Sequence, residues 1–520
     1  MISDRPAAGS DIEARPRPRV GFDRVRAFPW SNVEARALQA ATCVVVVATV
    51  AATLFHAWYA IASGCYVNYV SGVWLALARD LSHGTFYRDL VSDAGYGGTR
   101  YFPLFFSLIA LLLRAGVAPL AAGQAVSVGS AVLLAIGLIF LLYRVVRVAP
   151  AMVALLTTFA LAPYFLQQTV FAIRCDILAV ALNVCGLAAV FRSHRERVTA
   201  WLAVAALFFT LALATKVTSV YGVATALITL ALARRWRQAT WLLLLTGTGF
   251  AVCLVSVDWL SSGRVFESFR VCALGGSTLA GTVRNAFSAS MRLAPVGGSR
   301  TLTAVLATAT LAWGLQLRAG WRQMPTVLFA VTCAMTMLVL GSPGTVPVNQ
   351  VADVHVASVV VIGACLRDRA RIRTAAVAVV LALMLVAAYQ DVGRVTRQRL
   401  GVLAHTLPAE RRDLLAIIGS EPVLAECPEF PVMAGRTPYV LDPFALRLLL
   451  MQRPDALAAL ERRVDAHAFA HVLLLEDPES PRGRGWYEYE HLGWPLVATI
   501  MRNYHHETTV AGVRVYTPNP

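Results

Sequence analysis

Long apolar runs separated by short arginine-bearing stretches dominate the chain from residue 38 to residue 390. Blocks such as 40–54, 131–142 and 241–257 carry almost no charge. Runs of roughly 17–25 mostly apolar residues match the hydrocarbon thickness of a bilayer. In lipid each backbone group must find its partner inside its own segment, so these runs are expected to be helices. The pattern predicts spans near 38–60, 120–143, 149–166, 175–191, 199–215, 217–233, 238–259, 301–317, 325–341, 354–366 and 374–390. The fold class is therefore a polytopic α-helical membrane protein of about 11 transmembrane helices.

The arginines give the spans a direction. Arg15, Arg17, Arg19, Arg24 and Arg26 precede the first span. Further clusters are Arg144/Arg147, Arg192/Arg195/Arg197, Arg234/Arg235/Arg237, Arg318/Arg322 and Arg367/Arg369/Arg371/Arg373. With these spans all the clusters fall on one side, which the positive-inside rule makes the cytoplasm. The block 101–113 is too short to cross and would invert every later cluster, so it is expected to lie in or dip into the outer membrane surface. Residues 1–37 read as a disordered cytoplasmic tail without a cleavable signal pattern. The spans and their connections, 38–390, form one membrane domain, with outer loops at 61–120 and 261–300 and a shorter one at 341–353. Within the first loop, 73–81 reads as a short amphipathic helix.

Past the last span the pattern changes to that of a small α/β domain, 391–520, placed outside by the odd number of spans. Helices are expected at 407–418, 443–452 and 454–464, with Pro408, Pro443 and Pro454 near their starts. Short buried strands are expected at 422–425 and 472–475, and a hairpin over 508–516 turning at Ala511-Gly512.

Composition agrees with a membrane chain: 57% hydrophobic and 15% charged, with a mean hydropathy of +0.61. The net charge of +16 would suggest nucleic acid in a soluble protein. Here it sits between spans and reads as topology-setting charge beside anionic lipid, so no nucleic-acid partner is expected. The nine cysteines include no C-x-x-C pair and lie mostly in apolar blocks, so neither a disulfide framework nor a metal site is expected. No H-E-x-x-H, G-x-S-x-G, Walker or zinc signature is present.

The candidates for chemistry are the ionisable residues at the outer span ends, because charge there is costly to keep. Asp89 and Asp93 in the first outer loop read either as solvated acids beside Arg88 or as a general base or metal-binding acid at the membrane surface. Arg174 and Asp176 begin the fourth span: the acid suits a helix N-terminus, and the arginine suits either snorkelling or a phosphate. Lys216, in the turn between the fifth and sixth spans, reaches either headgroups or a lipid-borne phosphate. Asn349, Asp353 and His355 follow a Gly/Pro-rich loop at the start of the tenth span. Asn349 and Asp353 share a helical face, while His355 also suits a satisfied interior position.

Several segments in order carry a resemblance: Gly84-Thr-Phe-Tyr-Arg-Asp89, Tyr101-Phe-Pro103-Leu, Ile173-Arg174-Cys-Asp176, Ala214-Thr-Lys216, the stretch from Gly344 through Asn349 to Asp353, and Ala434-Gly-Arg436-Thr-Pro-Tyr-Val-Leu-Asp442-Pro-Phe. Over roughly residues 38–450 the chain resembles the bacterial membrane glycosyltransferases of the GT-C type, relatives of the polyprenyl-phosphate-sugar-dependent protein mannosyltransferases. The resemblance implies a multi-pass protein of the cell (inner) membrane. It implies transfer of a hexose or pentose from a polyprenyl-phosphate donor to a hydroxyl of a glycan, lipid or protein acceptor, on the outer face and with inversion. It implies an acid of the first outer loop as general base. Arg174, Lys216 and their neighbours Asp176, Asn349, Asp353 and His355 are then expected around the donor, with Arg436 a further substrate-binding residue. No cofactor is implied, and a divalent cation is left open. Many such proteins carry an acid directly after the first span. Here that region reads Ser63-Gly-Cys-Tyr-Val-Asn68, and an amide cannot act as a base. Asp93, which precedes the Gly-rich turn, or Asp89 is then expected to take the role. Two other classes compete with the transferase: a transporter or flippase of an amphipathic solute, and a non-catalytic assembly partner. A transporter would keep ionisable groups near the midplane on broken or repeated helices, and the predicted span centres are nearly free of charge.

Overall fold

A computed structural model describes residues 32–192, 198–272, 278–290, 300–320, 323–342, 347–368, 370–397, 400–419 and 421–520. The arginine-rich N-terminal stretch lies outside them. The chain is mostly helical. Among the described residues, four helical segments are long and apolar enough to cross a membrane: Gln39–Ser63, Pro119–Val146, Trp236–Leu260 and Thr374–Arg394. Shorter apolar helices include Thr199–Thr215, Tyr221–Leu232, Thr301–Leu317 and Met324–Leu340. The protein is a multi-pass membrane protein.

The helices that position the site are α1 (Asn32–Ser63), α2 (Tyr69–Ser82), α3 (Pro103–Arg114), α4 (Pro119–Phe140), α5 (Pro150–Leu161), α6 (Tyr164–Phe171), α7 (Asp176–Arg192), α8 (Val198–Thr215), α9 (Tyr221–Leu232), α10 (Trp236–Leu260), α11 (Arg264–Cys272), α12 (Leu279–Ser290), α13 (Arg300–Gly320), α14 (Met324–Leu340), α15 (Pro347–Asp368) and α16 (Ala370–Arg397). α7 is buried almost all round, from Asp176 to Val190, and packs against α4, α8, α9 and α15. α1 and α10 instead expose apolar faces, among them Val44, Val47, Leu54, Leu243, Val252 and Val255. An apolar face with no protein partner is at home against lipid. Trp236 and Trp259 stand exposed at the two ends of α10, and Trp58 stands exposed near the end of α1, as the aromatic residues of a membrane boundary do.

One expected span is corrected. The block 149–166 is not a single helix but two, α5 and α6, bent by 64°. Pro163 has no N–H to continue the ladder, and its own extended backbone, ψ 136°, turns the chain while Ala162 stays helical. Averaged hydropathy ran through it because every neighbour is apolar. α3 and α2 stand where the short segments 101–113 and 73–81 were expected. α2 starts earlier, because Asn68 caps it: the Asn68 carboxamide oxygen accepts from the Val70 and Ser71 amides at 3.1 and 3.4 Å.

The C-terminal part carries α17 (Leu400–Ile418), β3 (Val423–Ala425), α18 (Glu429–Met433), α19 (Pro443–Gln452), α20 (Pro454–Asp465), β4 (His471–Leu474), α21 (Pro481–Tyr489), α22 (Trp494–Asn503), β5 (Tyr504–Val510) and β6 (Val513–Pro518), after a small hairpin β1 (Val91–Ser92) and β2 (Gly95–Tyr96) in the first loop. The four C-terminal strands order as β3-β4-β6-β5. β3 and β4 run parallel, Val423 opposite His471, across the crossover that parallel strands need. β5 and β6 close antiparallel around Ala511-Gly512, both at positive φ as a type I′ turn requires. The hairpin and both helices after residue 440 stand where the sequence placed them, while α18, α21 and α22 were not foreseen.

This part is tied to the first loop rather than hung from the last span. The Tyr96 amide donates to the Tyr439 carbonyl at 2.8 Å, and the Leu441 amide to the Tyr96 carbonyl at 3.0 Å. Arg88 holds Asp80 through two bonds of 2.6 and 2.7 Å and also donates to the Pro438 carbonyl at 2.7 Å. α2 lies so close to α18 that a Cβ on Gly72 would stand 2.4 Å from the Glu429 amide nitrogen. Replacement of Gly72 by alanine is therefore expected to cost about 1–3 kcal/mol through overpacking, read as a lowered thermal midpoint of the purified chain in detergent.

Glu429 itself is buried with thin compensation. The Arg411 guanidinium stands 3.6 Å away, too far for a hydrogen bond, and the Cys427 thiol stands at 3.9 Å. Burial pushes this carboxyl up to about 7, against the opposing pull of Arg411. A raised carboxyl binds its proton more tightly in the folded chain. Its contribution to stability is full below the ordinary value of 4.5 and is lost as pH rises to about 7. The thermal midpoint of the wild-type chain should fall between pH 5 and 8 more steeply than that of Glu429→Gln. Parallel slopes for the two proteins would contradict the assignment.

Candidate functional site

α6 ends at Phe171 and α7 begins at Asp176, so four residues break the helical wall. Ile173 adopts φ +48°, a left-handed conformation that a β-branched residue avoids at a cost of about 1–3 kcal/mol. Its side chain is fully buried, seated so tightly on α4 that a Cβ on Gly123 would come within 2.8 Å of it. The Ser71 hydroxyl of α2 takes the Ala172 carbonyl. The turn is thus held from two sides, and Arg174 emerges into a cleft of about 230 Å³ lined by Cys65, Tyr66, Val67, Asn68, Gln168, Ala172 and Arg174.

Arg174 is itself largely buried, within electrostatic reach of the Tyr69 and Tyr101 phenols. Burial pushes Tyr69 up to about 12, with Arg174 pulling the other way. Beyond the break, the Lys216 ammonium donates to the Asp176 carboxylate at 2.7 Å. Both are largely buried. Asp353 on α15 completes the group, close enough to act on Lys216 and Asp176. The Tyr221 hydroxyl lies beside Asp353 but completes no hydrogen bond of normal geometry. Four of the residues singled out in the sequence, Arg174, Asp176, Lys216 and Asp353, therefore come together from three separate segments. Two cations and two anions balance when all are ionised.

The other candidates lie elsewhere. The Asp89 carboxylate pairs with Arg264 at 2.6 Å on the surface, 57% and 35% exposed. Asp93 sits exposed in the β1–β2 turn, facing the C-terminal part beside Arg436, Tyr439 and Arg463. Neither lines the cleft at Arg174. Arg436 donates to the Gly419 and Glu421 carbonyls and joins two turns of the C-terminal part. His355 faces away from Asp353, between the Phe159 and Phe165 rings, 3.3 Å from the Phe159 carbonyl. Two residues apart on one helix, the pair cannot share a face. Asn349 belongs to the first turn of α15, and its side chain lies outside the described residues.

A second polar group was missed. His56 on α1 contacts Gln167 through Nδ1 and the Tyr66 hydroxyl through Nε2, the latter at 2.7 Å. Gln167 Nε2 donates to the Ala162 carbonyl at 2.7 Å and to Asp391 at 3.1 Å. Arg394 stacks on the Tyr164 ring at 3.5 Å. Tyr66 belongs both to this group and to the cleft wall. The signal was present in the sequence: His56 is an ionisable residue inside an apolar span. Among the described residues no group of three or more His, Cys, Asp or Glu is placed to hold a metal ion.

Compared by sequence, the chain matches no family model and no curated protein. Compared by structure, it matches ArnT from Cupriavidus metallidurans bound to undecaprenyl phosphate, with a TM-score of 0.57 and 14% identity over 91% of this chain and 99% of that one. The apo form of the same protein matches equally, TM-score 0.57 and 14% identity, over 86% and 94%. The Archaeoglobus fulgidus oligosaccharyltransferase in complex with zinc and sulfate matches with a TM-score of 0.56 and 12% identity, over 92% of this chain and 73% of that one. These likenesses show that the chain shares the fold of ArnT and of the archaeal oligosaccharyltransferase over nearly its whole length.

The buried pair makes a stability test. Removing one partner leaves an uncompensated charge, which typically costs about 3–5 kcal/mol. Lys216→Met and Asp176→Asn should each lower the thermal midpoint strongly. The double variant should recover much of the loss, and additive losses would show that the two side chains are not coupled.

Proposed function

We propose that this chain is a membrane glycosyltransferase that moves a sugar from a polyprenyl-phosphate donor to an acceptor hydroxyl on the outer side of the inner membrane, inverting the anomeric carbon. The observation that carries this reading is Arg174, held by a strained, buried turn in a cleft next to the Lys216–Asp176–Asp353 group. In the orientation set by the arginine clusters, with about 11 spans, this cleft, the first loop and the C-terminal part all lie outside.

The charge change of the reaction suits that arrangement. A polyprenyl-phosphate sugar is a phosphodiester with one negative charge. As the bond from the anomeric carbon to the phosphate oxygen breaks, the leaving group becomes a phosphomonoester and gains charge, towards about −2 at neutral pH. A fixed guanidinium and a fixed ammonium stabilise charge that appears only as that bond breaks. Arg174 offers planar, bidentate contacts to phosphate oxygens. Lys216 offers a point charge that Asp176 and Asp353 hold in place. The fold likeness to a protein crystallised with undecaprenyl phosphate supports the donor class. The donor sugar is a hexose or pentose, and the acceptor a glycan, lipid or protein hydroxyl.

The test uses the purified full chain in lipid nanodiscs with undecaprenyl phosphate linked to radiolabelled hexoses and pentoses. Bacterial envelope extract supplies acceptors. Transfer of label with release of undecaprenyl phosphate is expected from at least one probe. Arg174→Ala should lower it by about 10²–10³-fold, the usual effect of removing one charge-stabilising donor. No release from any probe, or undiminished release by Arg174→Ala, overturns the reading.

A further inference from the structure

We propose that Tyr66, backed by His56, Gln167 and Asp391, accepts the proton of the acceptor hydroxyl, doing at the cleft wall the work of the acid that is absent after the first span. This inference rests on the transferase reading above.

The hydrogen-bond directions are fixed by the residues present. The Ala162 carbonyl can only accept, so the Gln167 nitrogen must point at it, at 2.7 Å. That orientation turns the Gln167 oxygen towards His56 Nδ1, and an amide oxygen only accepts. Nδ1 therefore carries the hydrogen. In the neutral ring Nε2 is then the bare nitrogen, and it accepts from the Tyr66 hydroxyl at 2.7 Å. The second Gln167 hydrogen goes to the Asp391 carboxylate at 3.1 Å. Asp391 keeps its other oxygen buried with no hydrogen-bond partner among the described residues. The chain runs without a gap from the Asp391 carboxyl on α16, through α6 and α1, to a phenol that lines the same cleft as Arg174.

The step balances. The acceptor oxygen forms its bond to the anomeric carbon as the bond from that carbon to the phosphate oxygen breaks, and that electron pair leaves with the phosphate. The acceptor proton passes to the Tyr66 oxygen while the Tyr66 proton passes to His56 Nε2. The imidazolium that results is opposed through Gln167 by Asp391. When the product leaves, the proton returns by the same phenol to water or to the released phosphomonoester. Tyr66 is the catalytic residue of this scheme; His56, Gln167 and Asp391 are positioning residues. Tyr66 in the following turn bonds His56, Tyr164 on α6 packs beside its ring, Arg394 on α16 acts on it, and Asp391 on α16 reaches it through Gln167. Of these, Arg394 is a permanent cation, and Asp391 supplies a carboxylate when it is ionised.

The experiment uses the nanodisc-embedded full chain and whichever radiolabelled undecaprenyl-phosphate sugar the wild type turns over. Undecaprenyl phosphate binding is measured alongside. Tyr66→Phe should lower turnover by about 10²–10⁴-fold while binding undecaprenyl phosphate within about twofold of wild type. Wild-type turnover should rise with pH through one ionisation in the histidine range. His56→Gln should be slow and should lose that rise. Asp391→Asn, which removes the anion that favours the imidazolium, should shift the rise to lower pH. Turnover by Tyr66→Phe at the wild-type rate overturns the relay while leaving the transferase reading intact, as does a His56→Gln protein with the wild-type pH profile. Loss of turnover and undecaprenyl phosphate binding in equal measure in Tyr66→Phe overturns it as well, by making Tyr66 a structural contact. A wild-type chain inactive on every probe overturns both readings.

Discussion

The break between α6 and α7 is the constraint on which the site depends. A membrane helix is interrupted only where protein or a cavity takes up the backbone groups that the interruption releases. Here the Ala172 amide still closes on Gln168, the Ala172 carbonyl is taken by the Ser71 hydroxyl, and the Ala179 amide resumes the ladder at Cys175. α2 is thus part of what makes the interruption tolerable. Its buried face, from Val70 to Ala78, packs against α3 and α4, and also against α18 of the C-terminal part. The first loop and the C-terminal part act as the roof of the break. The strain at Ile173 persists because α4 and α2 enclose it.

Burial divides the charged candidates into two sets. The Asp89–Arg264 pair is exposed on both sides and contributes little, as surface pairs generally do. Asp176, Lys216, Arg174 and Asp353 are buried, and a buried ion group is rarely the most stable way to fill a core. Its retention at one end of a helical wall has a use once an anionic headgroup is to be held there. Lys216 stands at the end of α8, Asp176 at the start of α7, and Asp353 in α15. Each helix contributes a terminus or near-terminus, so the cluster needs no charge at mid-membrane.

Much of this was legible in the sequence because it is local. Apolar blocks gave the helices, and Ala511-Gly512 gave the closing hairpin. Arg174, Asp176, Lys216 and Asp353 stood out as costly charges at block ends, and three separate segments bring them together. Pro163 was hidden by averaging over apolar neighbours, although its chemistry predicts the bend. The acids of the first loop looked chemical because they stand by a glycine-rich turn and the position directly after the first span carries no acid. Only their positions in space show that Asp89 is tied to α11 and Asp93 faces the C-terminal part. The His56 group could be flagged but not assembled from sequence: His56 stands out as an ionisable residue inside an apolar span, while its partners Gln167 and Asp391 come from two distant helices.

Asn68 ties the capping of α2 to the electrostatics of the cleft. Asparagine and aspartate are nearly equal as helix caps, so capping alone does not explain an amide here. The two differ in charge. Asn68 and Arg174 line the same small cleft, where a carboxylate at position 68 would compete with a phosphate for the guanidinium. An amide keeps the cap and leaves the positive field of the cleft undiminished. The same choice removes a base from the position directly after α1. A reaction that must take up a proton in this cleft has to use a group on its wall that is neutral at rest, so that it does not cancel Arg174. Of the side chains lining the cleft, Tyr66 meets that condition, and it alone among them has its hydroxyl bonded to a histidine nitrogen.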